Sequence, residues 1–114
     1  MYTNLILYRN ELKNKNIAKY KVIGIVAELL LSKKIFNKNV DIEKFLEETF
    51  NLYFKTYLYK SRTLLVARVI REIIKLENNS SYKKRLFLFI DKKIEELKNE
   101  APKNSKNDFD GWLS

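Results

Sequence analysis

The chain has 114 residues, 46% of them hydrophobic and 32% charged, which fits one folded domain rather than a disordered chain. It contains no cysteine and no histidine, which excludes disulfides, metal sites built on thiolates or imidazoles, and catalysis by a histidine base. Its formal net charge of +9 favours an anionic partner: a nucleic acid, an anionic membrane surface or an acidic protein.

The N-terminal third of the sequence predicts two helices. MYTNLILYRNELK has no basic region before an apolar run, so it predicts a short helix rather than a signal peptide. The apolar run at residues 22–31 is too short for a membrane span, which needs about 20 apolar residues. It predicts a buried helix over about residues 16–35, with Glu28 at the core edge or paired with a lysine. Residues 33–39 form a connection.

A stripe of apolar residues predicts the next helix, with Asp41 as its N-cap. The stripe follows the i, i+3, i+4, i+7 spacing from residue 42 to residue 58. Its members are Ile42, Phe45, Leu46, Thr49, Phe50, Tyr53, Phe54, Tyr57 and Leu58. Aromatic residues at this spacing usually form a core. The alternative is that exposed tyrosines stack on unpaired bases. Within the core interpretation, we expect Tyr59 and one other ring to remain exposed.

Ser61 predicts the N-cap of a helix that runs to about Leu76, unless this stretch continues the preceding helix through a kink. The expected inward face consists of Val66, Val69, Ile70, Ile73 and Ile74. At about 100° per residue, Arg68, Arg71 and Lys75 share an arc of roughly 60° on the opposite side. Glu72 follows Arg68 by one turn, and we expect these two to pair.

ENNSS, at residues 77–81, predicts a turn with Ser80 or Ser81 as the cap of a last helix. The expected core positions of that helix are Tyr82, Leu86, Phe89, Ile90, Ile94 and Leu97. Its first turn holds three cations, which the helix dipole disfavours unless an anion offsets them. With only two glycines and one proline in the chain, the fold class is all-α, a bundle of four to five helices.

The predicted bundle covers residues 1–98, and residues 99–114 form a polar tail that ends in DFDGWLS. Phe109, Trp112 and Leu113 are candidate partner-binding residues. In one interpretation they form a docking peptide that resembles the acidic tails of single-strand DNA-binding proteins. In the other they fold back and cover the bundle, because a lone tryptophan gains free energy on burial.

Basic side chains on the last two helices form the candidate nucleic-acid site. They are Lys60, Arg62, Arg68, Arg71, Lys75, Lys83, Lys84 and Arg85. Four of the five arginines fall between residues 62 and 85. Arginine binds phosphate through a bidentate fork that lysine lacks. The alternative interpretation is that this stripe is only the solvated face of an amphipathic helix.

The spacing S-R-x5-R-x-x-R-E-I, from Ser61 to Ile73, resembles a helix in small DNA-binding proteins of BREX phage-defence systems. The small, basic, cysteine-free helical chain with an aromatic C-terminus is also similar to bacteriocin immunity proteins. It resembles the helical small subunits of CRISPR effector complexes as well. These resemblances imply either nucleic-acid binding or protein interaction.

We therefore expect a cytoplasmic, non-enzymatic protein that binds DNA or RNA mainly through phosphate contacts, without a cofactor or metal. It would act alone or as a small subunit of a defence or mobile-element complex. The alternative function is a protein-interaction module, such as an immunity protein or an inhibitor of a defence complex.

Overall fold

The computed structural model describes residues 2–14, 16–76 and 81–104. In these ranges the chain forms five α-helices and one 3₁₀ turn, and no strand occurs. The elements are α1 (Tyr2–Leu12), α2 (Lys19–Leu31), α3 (Asn39–Phe50), the 3₁₀ turn (Thr56–Lys60), α4 (Arg62–Lys75) and α5 (Tyr82–Asn104). The predicted all-α bundle is confirmed. No helix within the described part is long and apolar enough to cross a bilayer.

Of the predicted N-caps at Ser61 and Asp41, one is confirmed and one is wrong. Ser61 is the N-cap of α4, and its Oγ accepts a hydrogen bond from the backbone N–H of Leu64 at 3.3 Å, so that prediction is confirmed. The predicted cap at Asp41 is wrong. Helix α3 starts three residues earlier, with Lys38 as its N-cap, and Asp41 lies in the first turn. A carboxylate there still complements the helix dipole.

The core lies between helix pairs that are mostly distant in sequence. Helix α1 packs on α5, α2 packs on α4, and α3 packs on α5. The predicted core face of α5 is confirmed. Four of its residues are buried, and Phe89 and Leu97 are partly buried against them. In α4, Val66, Val69 and Ile73 are buried, as predicted.

The predicted inward position of Ile74 is wrong, because 58% of this residue is exposed. Residue 74 lies about 100° around the helix from Ile73, which carries it past the edge of the buried face. Leu65, which was not predicted, is fully buried at the other edge of that face. Glu28 is exposed on α2.

Rings from α3, α5 and the loop before α3 form one aromatic cluster. Phe45 contacts Phe89 with ring centroids 4.5 Å apart, and Phe36 stacks on Phe89 at 5.7 Å. Phe50 contacts Tyr82 at 5.5 Å. Such ring pairs add about 0.5–1.5 kcal/mol beyond area burial. This cluster holds α3 against α5.

The aromatic stripe does not continue as a helix, so the prediction of one helix over residues 42–58 is wrong. Asn51 adopts the left-handed conformation, with φ 56° and ψ 40°. The backbone N–H groups of Asn51 and Leu52 donate to the carbonyls of Glu47 and Leu46, each at 3.1 Å. These bonds end α3, and the chain continues without regular secondary structure to the 3₁₀ turn.

Several predicted features lie outside the described residues. These are the turn at residues 77–80, with Ser80, and the tail residues Phe109, Trp112 and Leu113. Helix α5 continues past Asn99, where the composition becomes polar, to Asn104.

Candidate nucleic-acid interface

The outer face of α4 presents two arginines to solvent. Leu65, Val66, Val69 and Ile73 turn the other face toward the core. Arg68 and Arg71 are three residues apart, so their side chains are neighbours on the helix surface. Both are exposed. Among the described residues, neither guanidinium makes a hydrogen bond or an ion pair.

Lys75 lies on the same face and is partly neutralised. Its Nζ lies 3.3 Å from the carboxylate of Glu72. The predicted pair between Glu72 and Arg68 is therefore wrong. Positions three and four residues apart both lie within reach on a helix, so Lys75 and Arg68 compete for one carboxylate. An exposed pair of this kind contributes at most about 1 kcal/mol, so Lys75 remains able to meet another anion.

The other three arginines make internal contacts. Arg62 donates from Nε and Nη2 to Oδ1 of Asn39 at 3.0 and 2.8 Å, and from Nη2 to the carbonyl of Phe36 at 2.7 Å. Arg85 donates to the carbonyl of Thr49 at 2.8 Å and to Oγ of Ser81 at 2.7 Å. Arg9 pairs with Asp91 at 3.1 Å. Arg62 and Arg85 thus tie α3 and its flanking loop to α4 and α5.

The other lysines of the predicted site also differ in whether they contact the rest of the protein. Lys83 is partly buried and donates to the carbonyl of Ile17 at 3.3 Å. Lys60 and Lys84 are exposed, and no side-chain bond involves them within the described ranges. The carbonyls of Ile17 and Thr49 receive two of the three cations in the first turn of α5. The sequence led us to expect an anionic partner for these cations, but backbone carbonyls of the protein bind two of them instead.

The segment of residues 51–60 joins α3 to α4 and carries exposed tyrosines; we call it the tyrosine segment. Tyr53 is 69% exposed and Tyr57 is 55% exposed, so their predicted core positions are wrong. Leu58 is buried, and the residues partly buried against the core are Leu52, Phe54 and Tyr59. Lys55 and Lys60 are exposed beside the tyrosines.

Two contacts anchor the C-terminal end of the tyrosine segment. Nδ2 of Asn39 donates to the carbonyl of Tyr59 at 2.6 Å, and Oδ1 of the same Asn39 accepts from Arg62. Burial raises the pKa of Tyr59, and the carboxylates of Glu43 and Glu47 raise it further. The phenol of Tyr59 therefore stays neutral at neutral pH.

A groove of about 490 Å³ lies between α3 and α5. Its apolar lining includes Phe36, Phe45, Phe89 and the exposed Leu88. Its charged lining mixes signs: Asp41, Glu48 and Glu96 face it, as do Lys44, Arg85, Lys92 and Lys93. Lys93 is held by Glu96 at 3.3 Å and lies over the ring of Phe89 at 5.7 Å. Mixed charge over an apolar floor suits a polypeptide better than a phosphate backbone.

Internal contacts of three predicted site residues were not foreseen from the sequence. Arg62, Lys83 and Arg85 bond to groups that lie 23 to 66 positions away in the chain. Most of these acceptors are backbone carbonyls, which every residue type has, so no sequence pattern marks them.

Comparisons with protein-family models, curated proteins and solved structures found no match to this chain.

Proposed function

We propose that this chain is a non-enzymatic protein that binds DNA or RNA through phosphate contacts, centred on Arg68, Arg71 and Lys75. One observation carries the proposal. Of the five arginines, only Arg68 and Arg71 lack an internal partner within the described part, and these two are adjacent on one exposed helix face.

The chemistry of arginine supports this assignment. A guanidinium presents a planar fork that makes two parallel hydrogen bonds to a phosphate. Arg62 and Arg85 use this donor capacity inside the protein, whereas Arg68 and Arg71 leave it open to solvent. Lys60 adds an exposed charge just before α4. The net charge of +9 would steer the whole molecule toward a polyanion.

We propose a cytoplasmic setting, in which the chain acts alone or as a small subunit of a defence or mobile-element complex. Such a subunit needs no catalytic group. Its role is to hold the nucleic acid by its backbone, which gives affinity without sequence preference.

The test is fluorescence anisotropy with a labelled duplex and a labelled single strand, between about 50 and 200 mM salt. Replacement of Arg68 and Arg71 by glutamine should weaken binding and flatten the salt dependence by roughly 1–2 units in the log–log slope. The charge-matched control replaces the exposed Lys13 and Lys98, near α1 and on α5, by glutamine. It changes the net charge equally but leaves the α4 face intact.

The two variants decide the question together. A steep slope for the control and a shallow one for the arginine variant support the α4 face. Equal behaviour of the two variants would mean that only net charge matters. Absence of binding by the wild type at low salt would refute the proposal. Replacement of both arginines by lysine should recover the slope but only part of the affinity, because lysine keeps the charge and loses the fork.

The groove between α3 and α5 favours a second candidate, a protein-interaction module of the immunity or inhibitor type. Leu88 is 53% exposed in that groove, and a peptide would cover it. Under this candidate, Leu88→Asp would abolish the capture of a specific partner, while the Arg68 and Arg71 variant would retain it. The opposite pattern would place the functional surface on α4.

A further inference from the structure

The tyrosine segment has features that phosphate contacts alone do not explain. An aromatic ring left in water forgoes the free energy of burial, at about 25 cal/mol for each Å² of apolar surface. Tyr53 and Tyr57 nevertheless expose more than half of their surface. They lie four positions apart, with Lys55 between them and Lys60 after them. Residues 51–60 include no aspartate or glutamate.

The backbone fixes which side chains of this segment face outward. Burial alternates along residues 52–55, because Leu52 and Phe54 pack partly against the core while Tyr53 and Lys55 are exposed. Leu58 then enters the core from the 3₁₀ turn, which leaves Tyr57 exposed. The hydrogen bond from Asn39 to the carbonyl of Tyr59 fixes the end of the segment. The tyrosines are therefore carried by backbone that is packed at both ends.

We propose that Tyr53 and Tyr57 stack on unpaired bases, so that the preferred ligand is single-stranded nucleic acid. This inference rests on the proposed function, since the phosphates of the same strand would contact Arg68 and Arg71. Bases in a duplex already stack on each other and do not offer their faces. Unpaired bases stack on aromatic side chains whatever their sequence.

The chain order supports a continuous path for such a strand. Only the capping residue Ser61 separates the end of the 3₁₀ turn from the start of α4. From Ser61 to Arg68 the helix rises by about 10 Å. Lys55 and Lys60 would contact phosphates between the stacked bases, and Arg68 and Arg71 would contact the phosphates that follow.

The experiment compares a labelled oligo(dT) strand with a labelled hairpin duplex of equal length, and repeats the single-strand arm with oligo(U). Tyr53→Ala and Tyr57→Ala should each lower affinity for the single strand by about 5- to 150-fold. Affinity for the duplex should change by less than about 2-fold, within the effect expected of an exposed substitution. The salt slope should not change, because these variants keep every phosphate contact.

Two controls isolate stacking from other effects. Tyr20 on α2 is 72% exposed, so Tyr20→Ala removes an equally exposed tyrosine from another surface and should not change binding. Tyr53→Phe and Tyr57→Phe keep the ring and remove the hydroxyl. They should bind the single strand almost as well as the wild type. Loss of binding in the phenylalanine variants would assign the effect to the hydroxyl and overturn the stacking proposal.

The failure of this inference can be distinguished from the failure of the proposed function. If the arginine variant loses binding while the tyrosine variants bind the single strand normally, the phosphate-binding face stands and stacking is refuted. If the tyrosine variants weaken duplex and single strand equally, the tyrosines do not select unpaired bases, and the inference also fails. If the wild type binds neither probe, both proposals fail.

Discussion

The two halves of the aromatic stripe have the same residue spacing and different structures. From Ile42 to Phe50 the stripe is helical, and its apolar side chains are buried. From Asn51 to Lys60 the chain first has no regular secondary structure and then forms a 3₁₀ turn, with two tyrosines in solvent. Helical spacing thus indicates which residues would share a face if a helix formed. It does not indicate where that helix ends.

The residue that separates the halves is Asn51. Asparagine is among the few residues other than glycine that adopt the left-handed conformation readily, because its short polar side chain bonds locally. Before Asn51, the rings of Phe45 and Phe50 contact each other and α5. After it, Leu52 and Phe54 pack partly against the core, while Tyr53 between them is exposed. Residues with the same spacing therefore form part of the core in one half and part of the surface in the other.

The largest expected effect tests the buried half. Phe50 is only 4% exposed and contacts Phe45 and Tyr82. Phe50→Ala leaves a cavity among these rings and should lower the free energy of unfolding by about 3–5 kcal/mol. Urea denaturation followed by circular dichroism measures this change. A loss below about 1 kcal/mol would mean that the ring is not in the core.

The next effect tests the contact between the start of α3 and the end of the tyrosine segment. Asn39 donates to the carbonyl of Tyr59 and accepts from Arg62, which also donates to the carbonyl of Phe36. Asn39→Ala leaves these partly buried groups without their partner, so stability should fall by about 1–3 kcal/mol. Asn39→Asp keeps an oxygen for Arg62 and loses the donor, so its loss should be smaller. Equal losses in the two variants would contradict the assigned roles.

Much of the fold could be predicted because it depends on local patterns. The buried faces of α4 and α5 follow from helical periodicity, and the start of α4 follows from the side chain of Ser61. The stop at Asn51 was missed because no glycine or proline marks it and the apolar spacing continues past it. The internal roles of Arg62 and Arg85 were missed because their acceptors come from distant parts of the chain. The shared exposed face of Arg68, Arg71 and Lys75 on α4 could be predicted, because it depends only on helical spacing.

A third prediction concerns the stop signal. Asn51 has φ 56°, where a β-carbon costs about 1–2 kcal/mol unless the side chain offsets it. Asn51→Ala should therefore lower stability by about 1 kcal/mol, while Asn51→Gly should be neutral or slightly stabilising. Thermal unfolding of both variants gives the comparison. If the alanine variant instead gains helical signal without losing stability, α3 extends into the tyrosine segment, and the difference between the halves depends on Asn51 alone.

The smallest expected effect tests the exposed half. Were the stripe one continuous helix, Tyr53 would share the buried face of Phe50, and its removal would cost several kcal/mol, as for other core rings. Tyr53 is instead 69% exposed, so Tyr53→Ala should change the free energy of unfolding by no more than about 0.5 kcal/mol. Phe54, the next residue, packs partly against the core, and Phe54→Ala should cost more than Tyr53→Ala. Urea denaturation of the two neighbouring variants tests this difference directly, because a continuous helix would bury residue 53, whereas the structure exposes residue 53 and partly buries residue 54. A larger loss for Tyr53 than for Phe54 would restore the continuous helix and remove the surface on which the stacking proposal depends.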